Sequence, residues 1–347
     1  MKKAIYCMLC LMLLSTACLA EEENIRIRLT FAGDVTLGSE EYLWEKSFSF
    51  VSYAREHGCD YFLRNVKPLF ETDDLTIVNL EGVLSDSAEN ENTKKTYRFR
   101  GPSGFTQILT AGSVEMVSLA NNHTLDYGER GYVDTCAALD DAGILRFGGG
   151  RVAVVEIKGM KLAFIGLSYT QDCEAERTWL KNEIARLKSE TGVSAVIFTY
   201  HGGTEYSEVR SEKQEAIARL AVDAGADLVV MHHPHVVQGM DVRRNRTILY
   251  SLGNFCFGGN KNVRAMQSLV AVADLTFSPE GKYLGQQIDL YPAHISGTEQ
   301  RSNYQPLLVS GADAKRVMRL IQQDTDFELE PFDEAVGYAR QMYLPAE

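Results

Sequence analysis

The chain holds seven histidines, and four of them, His201, His232, His233 and His235, fall within 35 residues. A lone histidine is ordinarily a surface group or a packed core residue, whereas four gathered behind two apolar runs form a set of nitrogen donors. Neutral imidazole ligates Zn, Mn, Fe and similar ions, and carboxylate or amide oxygens complete a harder site. Asp34, Glu81, Asn122 and His123 offer such oxygen and nitrogen, each behind another apolar run. In His233-Pro234-His235 the imidazoles stand two residues apart, so an extended backbone would turn both to one side, and the proline stiffens that spacing. Glu81 directly follows a run rich in β-branched residues, where a carboxylate is costly unless it is paired or metal-bound.

These donors outnumber the roughly four ligands of a closed zinc site, so two ions sharing a carboxylate is the chemistry they suggest. Ions about 3.5 to 4 Å apart lower the pKa of a bridging water and clamp both the attacking and the leaving oxygen of a phosphoryl group. Rival signatures are missing. The chain has no Walker loop, no G-x-S-x-G elbow and no H-E-x-x-H, and Gly148-Gly149-Gly150 lacks dinucleotide spacing and leads into a strand.

The elements that must position these donors follow from periodicity. Residues 25–31 alternate apolar with polar and stop at Ala32-Gly33-Asp34, which predicts a strand feeding a loop. Further strands are predicted at 75–80, 114–119, 195–200, 227–231 and 247–252, with a hairpin of 152–157 and 161–167 around Lys158-Gly159-Met160. Helical patterns at 103–112, 129–142, 174–190 and 211–224 lie between them, with Gly143 and Gly225 placed to end helices. Strands alternating with helices imply a layered α/β fold, in which ligands collect at the carboxyl ends of the strands. The polar clusters fall there.

The 347 residues are 45% hydrophobic and 24% charged, a globular composition, and 35 Lys and Arg against 47 Asp and Glu give a net charge of −12. That balance argues against a nucleic-acid partner or an anionic lipid surface, while a small anionic substrate needs a local cation to offset the field. Residues 1–20 place Lys2 and Lys3 before an apolar run and then small residues, the pattern of a secretory signal peptide. Ser15-Thr16-Ala17-Cys18 resembles a bacterial lipobox and Cys18-Leu19-Ala20 suits ordinary signal peptidase, so lipidation of Cys18 and plain cleavage both stand as routes. Either cut removes two lysines and no acids, taking the charge from −12 to −14. The mature protein is expected to be exported, meeting the membrane only through its signal or a lipid anchor. Cys59, Cys136, Cys173 and Cys256 are scattered without a C-x-x-C pair, which predicts buried thiols rather than a disulfide framework. No repeat or Pro/Gly-rich linker divides the chain, so one domain spans 26–295, followed at 302–347 by a helical and acidic appendage with an amphipathic stretch at 312–323.

Six stretches, in order across 27–257, resemble the bacterial capsule-synthesis CapA family, which is similar to calcineurin-like metallophosphoesterases. They are Gly33-Asp34-Val35-Thr36-Leu37-Gly38; Val78-Asn79-Leu80-Glu81; Ser118 to Gly128, containing Asn121-Asn122-His123 and Asp126; His201-Gly202-Gly203-Thr204-Glu205-Tyr206; His232 to Gly239; and Tyr250-Ser251-Leu252-Gly253-Asn254-Phe255. The resemblance implies a four-layer αββα sandwich with its site above the strand ends. It implies Asp34 and His235 on one metal, Asn122, His201 and His233 on a second, Glu81 as bridge, His123 protonating the leaving group, and Glu205 and His232 lining the rim. One or two divalent ions, Mn, Fe or Zn, are the implied cofactor. The implied partners are an anionic polymer such as poly-γ-glutamate or a phosphoester, together with membrane components of capsule synthesis. Three activities fit: a phosphoesterase-type hydrolase, a non-catalytic factor binding polymer through its metals during assembly or export, and a hydrolase acting on the polymer. The pattern departs at Thr36, where phosphoesterases carry a histidine, and at Asn79-Leu80-Glu81, which replaces a Gly-Asp motif.

Overall fold

β-Branched and aromatic residues recur at period two along the strands, and that alternation divides the hydrophobic residues among three separate cores. The computed structural model describes residues 23–190, 192–259 and 262–346. The leader and its processing at Cys18 lie outside them. Ile27, Leu29 and Phe31 face one way from the first strand, Ile25–Thr36, and pack with Leu162, Phe164, Ile197 and Val230 of a second sheet. Val35 of the same strand faces the other way, joining Val78, Leu80 and Val117 against Phe50, Phe62, Ile108 and Leu139 of covering helices. On the far side, Ile165, Val196, Phe198 and Val229 pack against Leu180, Ile184, Ile217 and Ala221. Helices, sheet, sheet and helices make the four-layer αββα sandwich. Each fully buried aliphatic or aromatic side chain contributes about 1.5–3 kcal/mol of transfer free energy, so three dry cores hold the layers in fixed register.

In the first sheet, Ile25–Thr36, Leu75–Leu80, Met116–Ser118 and Leu145–Phe147 run parallel, Asn254–Phe257 adds beside the first strand, and a long antiparallel pair, Gln267–Phe277 and Tyr283–His294, completes it. The second sheet is built on parallel Met160–Ser168, Ala195–His201, Leu228–His232 and Arg246–Leu249, edged by antiparallel Ala153–Ile157 and Met240–Arg243. Register sets the site. Asp34 lies opposite both Asn79 and Asn254 in the first sheet, and His201 lies opposite His232 in the second.

The helix Glu212–Ala224 begins with a reciprocal capping box of Ser211 and Gln214 and ends at Gly225 in the left-handed region, as its glycine suggests. The predicted strand at 114–119 is shorter, Met116–Ser118, and the predicted helix at 103–112 starts as a 3-10 turn before Thr106–Ala111. The C-terminal stretch carries the helix Gly311–Gln323, and it is also sewn into the first sheet: Leu307–Leu308, Ala339–Arg340 and Leu344–Pro345 all pair with Tyr283–His294. Val317, Met318 and Ile321 of that helix join the core between the sheets, so the tail closes the sandwich instead of hanging from it. The four cysteines of the described chain are free thiols as expected, but only Cys256 is fully buried and Cys173 is exposed. Among the described residues no helix is long and apolar enough to cross a membrane.

Candidate metal centre

The first sheet supplies oxygens. Asp34 is completely buried near the end of its strand, and its amide donates to Gly253 O at 2.9 Å. That approach requires Gly33, because a Cβ there would stand 2.1 Å from the same carbonyl. The Asn79 side-chain amide donates to Asp34 Oδ1 at 2.8 Å and contacts His201 Nδ1 at 3.1 Å. Asn79 is itself held by Asn121, whose Nδ2 donates to Asn79 Oδ1 and to Leu80 O. This amide chain fixes which lone pairs of Asp34 face the cavity. Glu81 follows the next strand end, anchored through its backbone: its N–H donates to Val35 O at 2.7 Å and its carbonyl accepts from the Thr36 hydroxyl at 2.8 Å.

The second sheet supplies nitrogens. His201 Nε2 lies 2.8 Å from Asn122 Oδ1, 3.1 Å from His233 Nδ1 and 3.7 Å from Glu81 Oε1. His235 Nδ1 stands 2.8 Å from Asn254 Oδ1 and 3.4 Å from Asp34 Oδ2, with its Nε2 4.0 Å from Glu81 Oε1. The segment is not extended as its i, i+2 spacing suggests: His233 has φ +99° and His235 φ +59°, both left-handed. Non-glycine residues hold such angles at a cost of order 1–3 kcal/mol, and only where the surroundings over-determine them. Here the kinks do what an extended strand would otherwise do, bringing two rings to one cavity with centroids 5.8 Å apart.

Donor atoms of Glu81, His201 and His233 lie within 4.8 Å of one another, as do those of Asp34, Glu81 and His235, and those of Glu205, His233 and His235. Glu81 is common to the first two sets. Both of its oxygens are buried without a hydrogen-bond partner, amid three imidazoles and a second carboxylate. A bare carboxylate in that position is expensive, and burial followed by repulsion from Asp34 holds its pKa well above the usual carboxylate range. Burial also works against ionisation of Asp34, but the His232 and His235 rings beside it prevail and hold it well below that range. Burial lowers His235 too, yet Glu81 and Asp34 outweigh it and lift the ring to about 9. Burial, then the neighbouring imidazoles, pushes His201 well down and His233 to about 4. Two neutral imidazoles facing an unsatisfied carboxylate are a donor set suited to a divalent ion.

Around this centre the remaining residues take distinct places. His123 is buried, with Nε2 3.7 Å from Glu81 Oε1 and Nδ1 2.6 Å from Asp126 Oδ2. Asp126 also accepts from Phe99 N–H and pairs with Lys95, whose ammonium donates to Asn122 O at 2.6 Å. Burial lowers the His123 pKa and Asp126 opposes it. Asn122 is half-buried and faces His201, while Glu205 is exposed at the mouth near His233 and His235. His232 does not line the rim: it is 4% exposed, and its Nδ1 is 3.4 Å from Asp34 Oδ1, beneath the cavity. Sequence reasoning gave no role to Asn79, although an amide inside an otherwise apolar six-residue strand is a visible signal, or to Lys95, which nothing in its polar loop distinguishes.

A model of the family described as bacterial capsule synthesis protein PGA_cap matches residues 28–259, two thirds of the chain. Capsule biosynthesis protein CapA of Bacillus anthracis is 28% identical over 326 residues, covering 87% of this chain and 74% of the relative. PGA biosynthesis protein CapA of Bacillus subtilis is 24% identical over 318 residues, covering 86% and 78%. A probable polyglutamine synthesis accessory protein of Mycobacterium tuberculosis is 26% identical over 225 residues, 55% of this chain and 59% of its own. Among solved structures, the sulfate thiohydrolase SoxB of Thermus thermophilus aligns over 85% of this chain and 59% of that one at 14% identity, with a TM-score of 0.41.

Proposed function

The chain belongs to the PGA_cap family of bacterial capsule synthesis proteins, and from that premise we propose that it supports synthesis or export of an anionic capsule polymer of the poly-γ-glutamate kind through a metal-dependent, phosphoesterase-type site. The observation that carries the metal is Glu81, a fully buried carboxylate with neither oxygen hydrogen-bonded, set among imidazoles from the opposite sheet. In this reading Asp34 and His235 would hold one ion and Asn122, His201 and His233 a second, with Glu81 within reach of both. The ions, one or two of Mn, Fe or Zn, supply Lewis acidity and a water of near-neutral pKa.

The chain's own residues do the rest. Asn79 orients Asp34 through a hydrogen bond, and His232 Nδ1 stands 3.4 Å from the same oxygen. Asp126 holds the His123 ring at Nδ1 so that Nε2 points toward the Glu81 side of the cavity, where it can pass a proton to a leaving oxygen. Residues 1–20 carry the chain across the cytoplasmic membrane, with Cys18 as the place where an anchor would attach. Extracytoplasmic placement puts the site where a growing capsule polymer emerges.

Thr36 favours a second reading, a non-catalytic factor that binds polymer through its metal. The position where phosphoesterases carry a ligand histidine holds a buried hydroxyl already donated to Glu81 O. One experiment separates the two. The purified mature protein loaded with Mn or Zn is expected to hydrolyse an aryl phosphate, and His201→Ala or His233→Ala to abolish it. Activity unchanged in both variants would overturn the metal-enzyme reading. No hydrolysis at all, with metal still raising polymer affinity, would install the assembly factor.

A further inference from the structure

We propose that a groove against the C-terminal helix, linked to the metal centre through Tyr206, is the binding track for the polymer, and that Arg264 and Arg316 are its carboxylate-reading residues. This rests on the capsule-polymer reading and adds where the polymer lies. The cavity is about 620 Å³, and its lining includes Arg264, His294, Ser296, Glu299, Asp313 and Arg316. That volume falls in the range of pockets that take a drug-sized ligand.

The groove is joined to the centre through one ring. Tyr206 lies with its centroid 5.9 Å from that of His235, and its amide donates to Pro234 O at 2.7 Å, tying it to the strained histidine loop. The Arg264 guanidinium sits 3.5 Å from the Tyr206 ring centroid, on its face. A guanidinium stacked in this way keeps its N–H edges available for bidentate carboxylate recognition, and the stack costs it little hydration. Arg316 is exposed on the helix Gly311–Gln323, and among the described residues neither arginine forms an ion pair with an acid. In a protein of net charge −12, the two guanidinium groups balance Glu299 and Asp313 of the same lining, so the groove is formally neutral and repels a polyanion less than the acidic chain as a whole does.

The lining also says which polyanion. His294 Nε2 is buried without a hydrogen-bond partner, and Glu299 and Asp313 place acceptors beside the arginines. A polyphosphate offers oxygens alone and would be repelled by those acids. A γ-linked polyglutamate offers carboxylates to the arginines and backbone amide N–H groups to the acids and hydroxyls, so the mixed lining favours a carboxylated polyamide.

The test uses the mature, metal-loaded chain and a fluorescently labelled γ-linked oligoglutamate, with binding followed by anisotropy. The double variant Arg264→Ala/Arg316→Ala is expected to bind at least about tenfold more weakly, with each single variant intermediate and Arg316→Lys nearer to wild type. Metal content, measured in the same samples, is expected to match wild type, and polyphosphate of equal charge is expected to compete poorly. If the unaltered chain binds the oligomer and the double variant binds it equally well, the groove is the wrong place while the capsule reading stands. If the unaltered, metal-loaded chain does not bind the oligomer, the capsule-polymer reading itself fails, and the groove with it. Polyphosphate competing as well as oligoglutamate would overturn the carboxylate assignment.

Discussion

The two sheets contribute to the cavity in opposite ways. The first delivers Asp34, Asn79 and Asn254 from paired strands whose register slips on either side of Asp34, with none of the three residues in the left-handed region and a close backbone pass at Gly33. The second delivers His201 from a regular strand end but His233 and His235 from a loop with two left-handed residues. Oxygens come from rigid parallel strands and nitrogens partly from stored strain, and Glu81 stands where the two meet. The difference teaches that neither half is a site by itself. An unpaired carboxylate and a buried cluster of imidazoles each carry a desolvation cost alone, and apposition across the inter-sheet core is what makes them complementary.

The most severe way to break that complementarity is at the shared residue. Glu81→Gln keeps the volume and removes the carboxylate that metal binding would ionise, and it is expected to lower bound metal and any metal-dependent activity by at least about a hundredfold, read by elemental analysis of the purified protein. The same change should leave the stability of the metal-free protein close to unchanged, because the amide replaces a carboxyl that already keeps its proton and equally lacks a hydrogen bond. Loss of stability in the metal-free form together with normal metal content would mean that Glu81 is a structural residue.

A change at Gly33 breaks the oxygen side without touching a donor. Gly33→Ala sets a methyl 2.1 Å from Gly253 O, so the first strand and the Gly253-Asn254 turn must separate. We expect a loss of about 1–3 kcal/mol in denaturant unfolding and weaker metal binding, since Asp34 and Asn254 are the next residues along each segment. If stability fell while metal affinity held, the register of Asp34 with Asn254 would not matter to the centre.

The comparison also explains what sequence can show. Strand ends rich in Asp, Asn, Glu and His are legible because period-two apolar runs stop at them, and the αββα layering follows from strands alternating with helices. Clustered histidines mark the nitrogen side. The bend that makes the cluster usable is not legible: i, i+2 spacing predicts an extended segment, whereas His233 and His235 are left-handed and meet Asp34, Asn254 and Tyr206 from elsewhere in the chain. The family resemblance puts His232 at the rim, whereas the folded chain buries its ring with Nδ1 3.4 Å from Asp34 Oδ1. The tail reads as an appendage because its strands are two residues long, too short to show a period, although Tyr283–His294 gives them a complete edge to pair with.

The mildest effect is one of pH, and it sharpens the contrast between an oxygen set and a nitrogen set that need each other's charge. In the metal-free protein His235 is held at about 9, against an unfolded value of about 6.5, and Glu81 is held well above its usual range. Both groups keep protons in the folded state that the unfolded chain has already released, so the folded state binds more protons and stability falls as pH rises. The His235 contribution is fully present below about pH 6.5 and is lost as pH passes through about 9. Metal displaces the same protons, so its affinity should climb over this window and the loaded protein should show a flatter profile. Thermal unfolding from pH 6.5 to 9 is expected to lower the Tm of the metal-free chain by about 2–4 °C more than that of the loaded one. A metal-free protein whose Tm rises across the window would show that His235 is neutral there, and that the carboxylates do not hold its proton.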